Sequence, residues 1–191
     1  MDRFWSHAIV AAALASTVGV TAVAAQSAGR GSLQMFDERI AAYVELHQRV
    51  AVVFPAWPPT DDTYVLVGRR VHLGAAIRAE RGQVNQGEIF DAATAAAFRD
   101  IVADALRSVD VELLLVDLYE GCEMPTGYRP EVNGAYPDWA THQMPFALLV
   151  VLPALPAGIQ YRLIDHDLLL WDVDADVIID VLPDALPDAG S

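Results

Sequence analysis

The chain has 191 residues, with 26 acidic and 12 basic residues, every basic one an arginine, and a net charge of −14. At 54% hydrophobic residues it is too apolar for a disordered acidic tail, and its length suits one globular domain. The acidity excludes a nucleic-acid binder, and one cysteine excludes both an internal disulfide framework and a cysteine-rich zinc site.

Arg3 places a positive charge ahead of an uncharged run from Ile9 to Ala25, which ends in Val23-Ala24-Ala25 before Gln26. Small residues one and three positions before a cut mark a secretory signal. Residues 1–25 therefore read as a signal peptide and 26–191 as a single domain, periplasmic or secreted after cleavage. The rival is a membrane anchor, since 17 apolar residues reach the lower edge of a spanning helix. The side chains are small, so that span is weakly hydrophobic, and membrane contact is expected only if the segment stays uncleaved.

In the mature part, Phe36, Ile40, Tyr43, His47, Val50 and Phe54 recur at helical spacing, and Pro55 ends the stripe. His47 lies on that stripe, where a lone histidine reads as a core or boundary residue. Pro55-Ala-Trp-Pro-Pro reads as a stiff linker. Residues 62–81 fit a strand at Tyr64–Val67 or a helical stripe through Leu66, Val67, Val71, Leu73 and Ile77. The ending Ala-Ala-Ile-Arg-Ala-Glu favours a helix, though Gly68 and Gly74 weaken it. Arg69, Arg70, Arg78 and Arg81 make it the one basic patch.

Asp91 caps the next predicted helix, with a stripe of Phe90, Thr94, Ala97/Phe98, Ile101 and Ala105. Asp110 caps a shorter one that turns Val111, Leu114, Leu115 and Leu118 inward. Residues 121–145 hold prolines at 125, 130, 137 and 145 and an Asn133-Gly134 turn signal, and read as irregular. Pro145 then opens a short helix over 146–152, which Pro153 and Pro156 stop. The period changes after Ile159, and Val, Ile and Trp favour three strands, 159–164, 168–173 and 177–182. A helix over 174–182, capped by Asp174, is the competing reading. With three-residue loops at 165–167 and 174–176, Tyr161, Leu163, Leu169, Trp171, Ile179 and Val181 share the face turned to the helices. Arg162 then sits on the opposite face, near Asp172 and Asp180.

Val132-Asn-Gly-Ala-Tyr-Pro with Met144-Pro, and Leu152-Pro-Ala-Leu-Pro through Tyr161-Arg162 to Asp172, together with the leading Phe36–Phe54 helix, resemble a family of uncharacterised secreted bacterial proteins over most of the mature chain. That resemblance implies no activity. Tyr161 to Leu170, followed by Val177-Ile-Ile-Asp-Val-Leu, is similar to the end of periplasmic nickel/cobalt-homeostasis (RcnB-type) domains. Those domains carry Thr-Gly in the second loop where this chain has Asp174-Ala175-Asp176. The likeness implies a meander and no metal function.

Known chemistries mostly fail on spacing. Asp172-x-Asp174-x-Asp176 opens like a calcium loop, but Val177 stands where the sharp turn needs glycine and Pro183 where the closing glutamate belongs. A looser cation site could use Asp165, His166, Asp167 and the second loop; acidic turn residues in water are the plainer reading. No serine sits in a nucleophile elbow. Cys122 could pair with His142 or His166, yet Glu120 and Glu123 oppose a thiolate there. No carboxylate spacing singles out a glycosidase pair.

The candidate binding residues are Tyr128, Tyr136, Trp139 and His142 on the irregular segment, with Arg162 beyond it, because aromatics on a loop form recognition surfaces. They can equally be pegs that pin the loop to the core. The expectation is thus an α+β domain: N-terminal helices, a long irregular segment and a small C-terminal antiparallel meander. Its expected role is a non-catalytic interaction or binding module without catalytic residues, metal or cofactor. The alternatives are a divalent-cation binder using the acidic C-terminal half and an enzyme with a dispersed carboxylate site. Residues 26–109 hold 9 Arg and 10 acids, whereas 110–191 hold 2 Arg and 15 acids. That asymmetry favours a cationic partner, a protein or a small molecule.

Overall fold

The computed structural model describes residues 17–54, 60–120 and 122–187, with side chains from residue 29 onward. The linker expected at 55–59 and the start of the expected signal peptide lie outside the described residues. Five helices, α1 (Thr17–Val53), α2 (Thr63–Arg81), α3 (Ala92–Leu106), α4 (Val111–Leu118) and α5 (Phe146–Leu149), precede three strands. These are β1 (Ile159–Ile164), β2 (Asp167–Asp172) and β3 (Val177–Leu182), an antiparallel sheet in the order β1-β2-β3. The fold is α+β, with the expected meander at its end.

The helices follow their sequence signals closely. On α1 the stripe Phe36, Ile40 and Tyr43 is buried, and His47 and Val50 continue it half-buried. The choice of helix over strand for 62–81 is borne out, and Asp62 caps α2 by accepting from the Tyr64 amide. Gly74 lets α2 approach the turn after β2, since a Cβ there would lie 2.1 Å from the Ala175 carbonyl oxygen. Asp91 and Asp110 cap α3 and α4 as expected. The buried stripe of α3 is Thr94, Ala95, Phe98, Val102 and Leu106, so Ile101 and Ala105 flank the contact instead of centring it. Phe36, Phe90 and Phe98 meet with ring centroids 4.8–5.9 Å apart, and Tyr161 of β1 closes the cluster 6.2 Å from Phe98.

Residues 122–145 are irregular as expected, and Asn133 supplies the positive φ of 64° that its turn needs. This segment lies across the sheet face away from the helices, so both faces of the meander are covered. Tyr161, Leu163, Leu168, Leu170, Ile179 and Leu182 pack toward the helices. Ile164, Leu169, Trp171, Ile178 and Val181 pack against Tyr136 and Ala140 of the irregular segment.

The expected register is wrong in two places. The β1–β2 loop has two residues, Asp165 and His166, so Leu163 pairs with Leu168 and not with Leu169. A one-residue slip turns every side chain of a strand over, and Trp171 therefore lies on the face opposite Tyr161. The second change is a bulge between Leu170 and Trp171 on one side and β3 on the other: Leu170 pairs with Asp180 and Trp171 with Ile178. Ile179 and Asp180 both turn toward the helix side as a result. The Leu169–Val181 pair stands as expected. Arg162 does not sit among Asp172 and Asp180; it shares the Trp171 face.

Candidate functional site

Three C-terminal aspartates, four residues apart, act as acceptors that tie the rest of the chain to the meander. Asp172, 1% exposed, accepts from the Tyr43 hydroxyl at 2.7 Å, from His47 Nδ1 at 2.6 Å and from the amides of Asp174 and Ala175 at 3.0 Å. Burial alone would push its carboxyl up, but the bonds from His47 and Tyr43 hold it below the ordinary value. The same contact raises His47. Tyr43 is driven far up by burial and by the Asp172 charge, so its hydroxyl stays a donor. Asp180 is fully buried and accepts from the amides of Gly87, Ile89 and Phe90, which fixes the loop before α3. Asp176 accepts from Trp171 Nε1 at 3.0 Å, the Tyr136 amide at 3.3 Å and Arg70 at 3.5 Å.

Beside Asp176 a cleft of about 290 Å³ opens between the sheet and the irregular segment. Tyr136, His142 and Arg162 line it, joined by Arg70, Trp171 and Asp176. The Arg70 and Arg162 guanidinium carbons lie 5.3 and 5.1 Å from the Trp171 ring centroid, and Arg162 also reaches the Tyr136 ring at 5.9 Å. Tyr136 lies 4.7 Å from Trp171, and burial pushes its hydroxyl up to about 12. His142 directs Nε2 to the Leu163 carbonyl at 2.7 Å, which assigns the proton to Nε2 and leaves Nδ1 a bare acceptor. Burial lowers His142, so it is neutral. Among the described residues, Tyr136 Oη and His142 Nδ1 are buried without a hydrogen-bond partner.

Of the five residues singled out in the sequence, the structure brings Tyr136, His142 and Arg162 to this cleft. Tyr128 and Trp139 instead pack edge-to-face at 5.2 Å, half-buried against the second core. Sequence reasoning missed Trp171, which only the true register places here. It also missed Arg70, whose one signal was membership of the basic patch on α2.

The other candidate chemistries find less to build on. Cys122 has its Sγ 3.8 Å from Thr141 Oγ1, while His142 is turned to the Leu163 carbonyl. Asp165, His166 and Asp167 line a separate cavity with Arg129 and Asp184. Among the described residues, no three His, Cys, Asp or Glu side chains gather as a metal site would require. Nor is any described helix long and apolar enough to cross a membrane. No family model matches the chain, and neither a curated protein nor a solved structure matches it.

Proposed function

We propose that this chain is an exported, non-catalytic binding domain that receives its ligand in the cleft between the meander and the irregular segment. One observation carries the reading: a half-buried arginine, Arg162, lies in a preformed cleft with no carboxylate partner among the described residues. A charge removed from water at a concave, partly aromatic site is a recognition group more readily than a structural one. The lining is held in place beforehand, His142 through Nε2 by a backbone carbonyl and Asp176 through Oδ1 by three donors. The export half of the proposal rests on Arg3, the uncharged run and Val23-Ala24-Ala25.

A small-molecule panel screened by NMR on the full chain tests the binding half. Hits should perturb the Trp171 indole and His142 ring signals; hits confined to other surfaces refute this cleft as the site. Intact mass of the secreted protein tests export, with the chain expected to begin near Gln26. A membrane-bound species retaining Met1 would refute it.

A further inference from the structure

We infer that this cleft, on the binding reading just given, is an anion site selective for a small monocarboxylate with an aromatic or apolar body. The first ground is an accounting of arginines. Arg39 holds the Ile89 carbonyl and Asp91, and Arg78 holds the carbonyls of Asn133 and Asp176. Arg81 holds Asn133, Glu88 and the Ile179 carbonyl; Arg70 holds the Val173 carbonyl and Asp176. Among the described residues, Arg162 has only a 3.3 Å bond from Nη1 to the neighbouring Tyr161 carbonyl. A guanidinium carries five N–H donors in its plane, so most of its capacity is open. The Trp171 and Tyr136 rings, 5.1 and 5.9 Å from the guanidinium carbon, offset part of the charge through their faces. In a chain this rich in acids, the missing partner of Arg162 is a feature of the site.

The second ground is the balance of the lining. Arg70 is matched by Asp176, which it engages at 3.5 Å, while Asp138 lies on the exposed rim and makes no ion pair with Arg162 among the described residues. One further negative charge completes Arg162, whereas a dianion such as phosphate adds a second charge with no unpaired guanidinium to meet it, in a half of the chain holding 15 acids and 2 arginines. Of the remaining lining groups, Thr141 and His142 are polar, while Tyr136, Pro137, Ala140 and Trp171 offer apolar or aromatic contacts to an uncharged ligand body. The overall charge favours cations at long range; at this cleft a cation would face an unneutralised guanidinium.

Isothermal titration of the full chain with benzoate, benzyl alcohol, benzylamine and inorganic phosphate reads the selectivity, with the Trp171 and His142 NMR signals reporting the place. Benzoate should bind at least about tenfold more tightly than the other three, the smallest effect of one charge-assisted hydrogen bond. Arg162→Gln should abolish that preference while the circular dichroism stays unchanged. Arg162→Lys keeps the charge without the fork; it should retain part of the preference and serves if Arg162→Gln misfolds. Phosphate bound more tightly than benzoate, or benzoate affinity unchanged in Arg162→Gln, overturns the inference. Benzyl alcohol or benzylamine perturbing the two reporters as strongly as benzoate also overturns it, yet leaves the binding domain standing. Silence of both reporters to all four probes overturns both.

Discussion

Asp172→Ala removes an acceptor on which four donors converge, and its cost follows from who those donors are. A net contribution of about 1.5–3 kcal/mol for each bond to a charged group would give roughly 6–12 kcal/mol if all four were lost outright. They are not equivalent. The His47 side chain is 21% exposed and can turn to water, and the Asp174 amide lies on an exposed turn. The Tyr43 hydroxyl and the Ala175 amide belong to residues 6% and 0% exposed and have nowhere to go. Two stranded donors bring the loss to about 3–5 kcal/mol, the range for breaking a buried charged pair. That is a fifth or more of the roughly 5–15 kcal/mol that holds an ordinary domain together. Urea unfolding at neutral pH, with the slope checked for constancy, reads it directly.

The pH dependence of the same pair has a definite sign. His47 is raised from 6.5, so its share of stability is complete below 6.5 and fades as pH climbs through the raised value. Asp172 is lowered from 3.8, so its share is complete above 3.8 and fades as pH falls through the lowered value. The difference in stability between the protein and His47→Ala should therefore be greatest between 3.8 and 6.5. A difference that stays flat from about pH 6 to 9 refutes the coupling. A cost below about 1 kcal/mol for Asp172→Ala refutes the burial argument.

Trp171→Ala should cost about 3–5 kcal/mol, and hydrogen exchange should show it loosening residues 122–145 while α1 and α3 stay protected. Lost protection in α1 would mean that the indole packs on the helices after all. Gly74→Ala should destabilise by at least about 1–3 kcal/mol, because its Cβ meets a backbone oxygen. Gly68→Ala, with open space around it, should instead gain up to about 1 kcal/mol of helix propensity. Equal melting temperatures for these two variants would count against the close approach of α2 to the turn.

Helices were legible here because their signals are local. The 4-3-4 spacing of Phe36, Ile40, Tyr43 and His47 and the capping roles of Asp91 and Asp110 need no tertiary knowledge. The strands were legible too, but their faces were not. Every residue of β2 is buried, so Leu168, Leu169, Leu170 and Trp171 carry no alternation to say which side is which. Asp165-His166 and Asp165-His166-Asp167 are equally good turn compositions, and one residue between them decides the side of Trp171. The bulge opposite Leu170 and Trp171 has no sequence mark at all. The candidate site was half legible for the same reason. Tyr136, His142 and Arg162 could be named from residue type, whereas Arg70 and Trp171 enter only through packing across about a hundred residues of chain.

The long reach of the three aspartates also governs when this chain can fold. Tyr43 and His47 wait for an acceptor 129 and 125 residues downstream, and the loop before α3 waits for one some 90 residues away. Contacts of such separation form slowly, because the intervening chain must be ordered before they repay it. A growing chain that has not yet delivered residues 172–182 has its helix-forming segments and the Phe36–Phe90–Phe98 contacts in hand but lacks the acceptors that tie them to the sheet. The last strand is in effect the closing stitch: until it arrives, the contacts that bind the first helix and the loop before α3 to the sheet stay unmade.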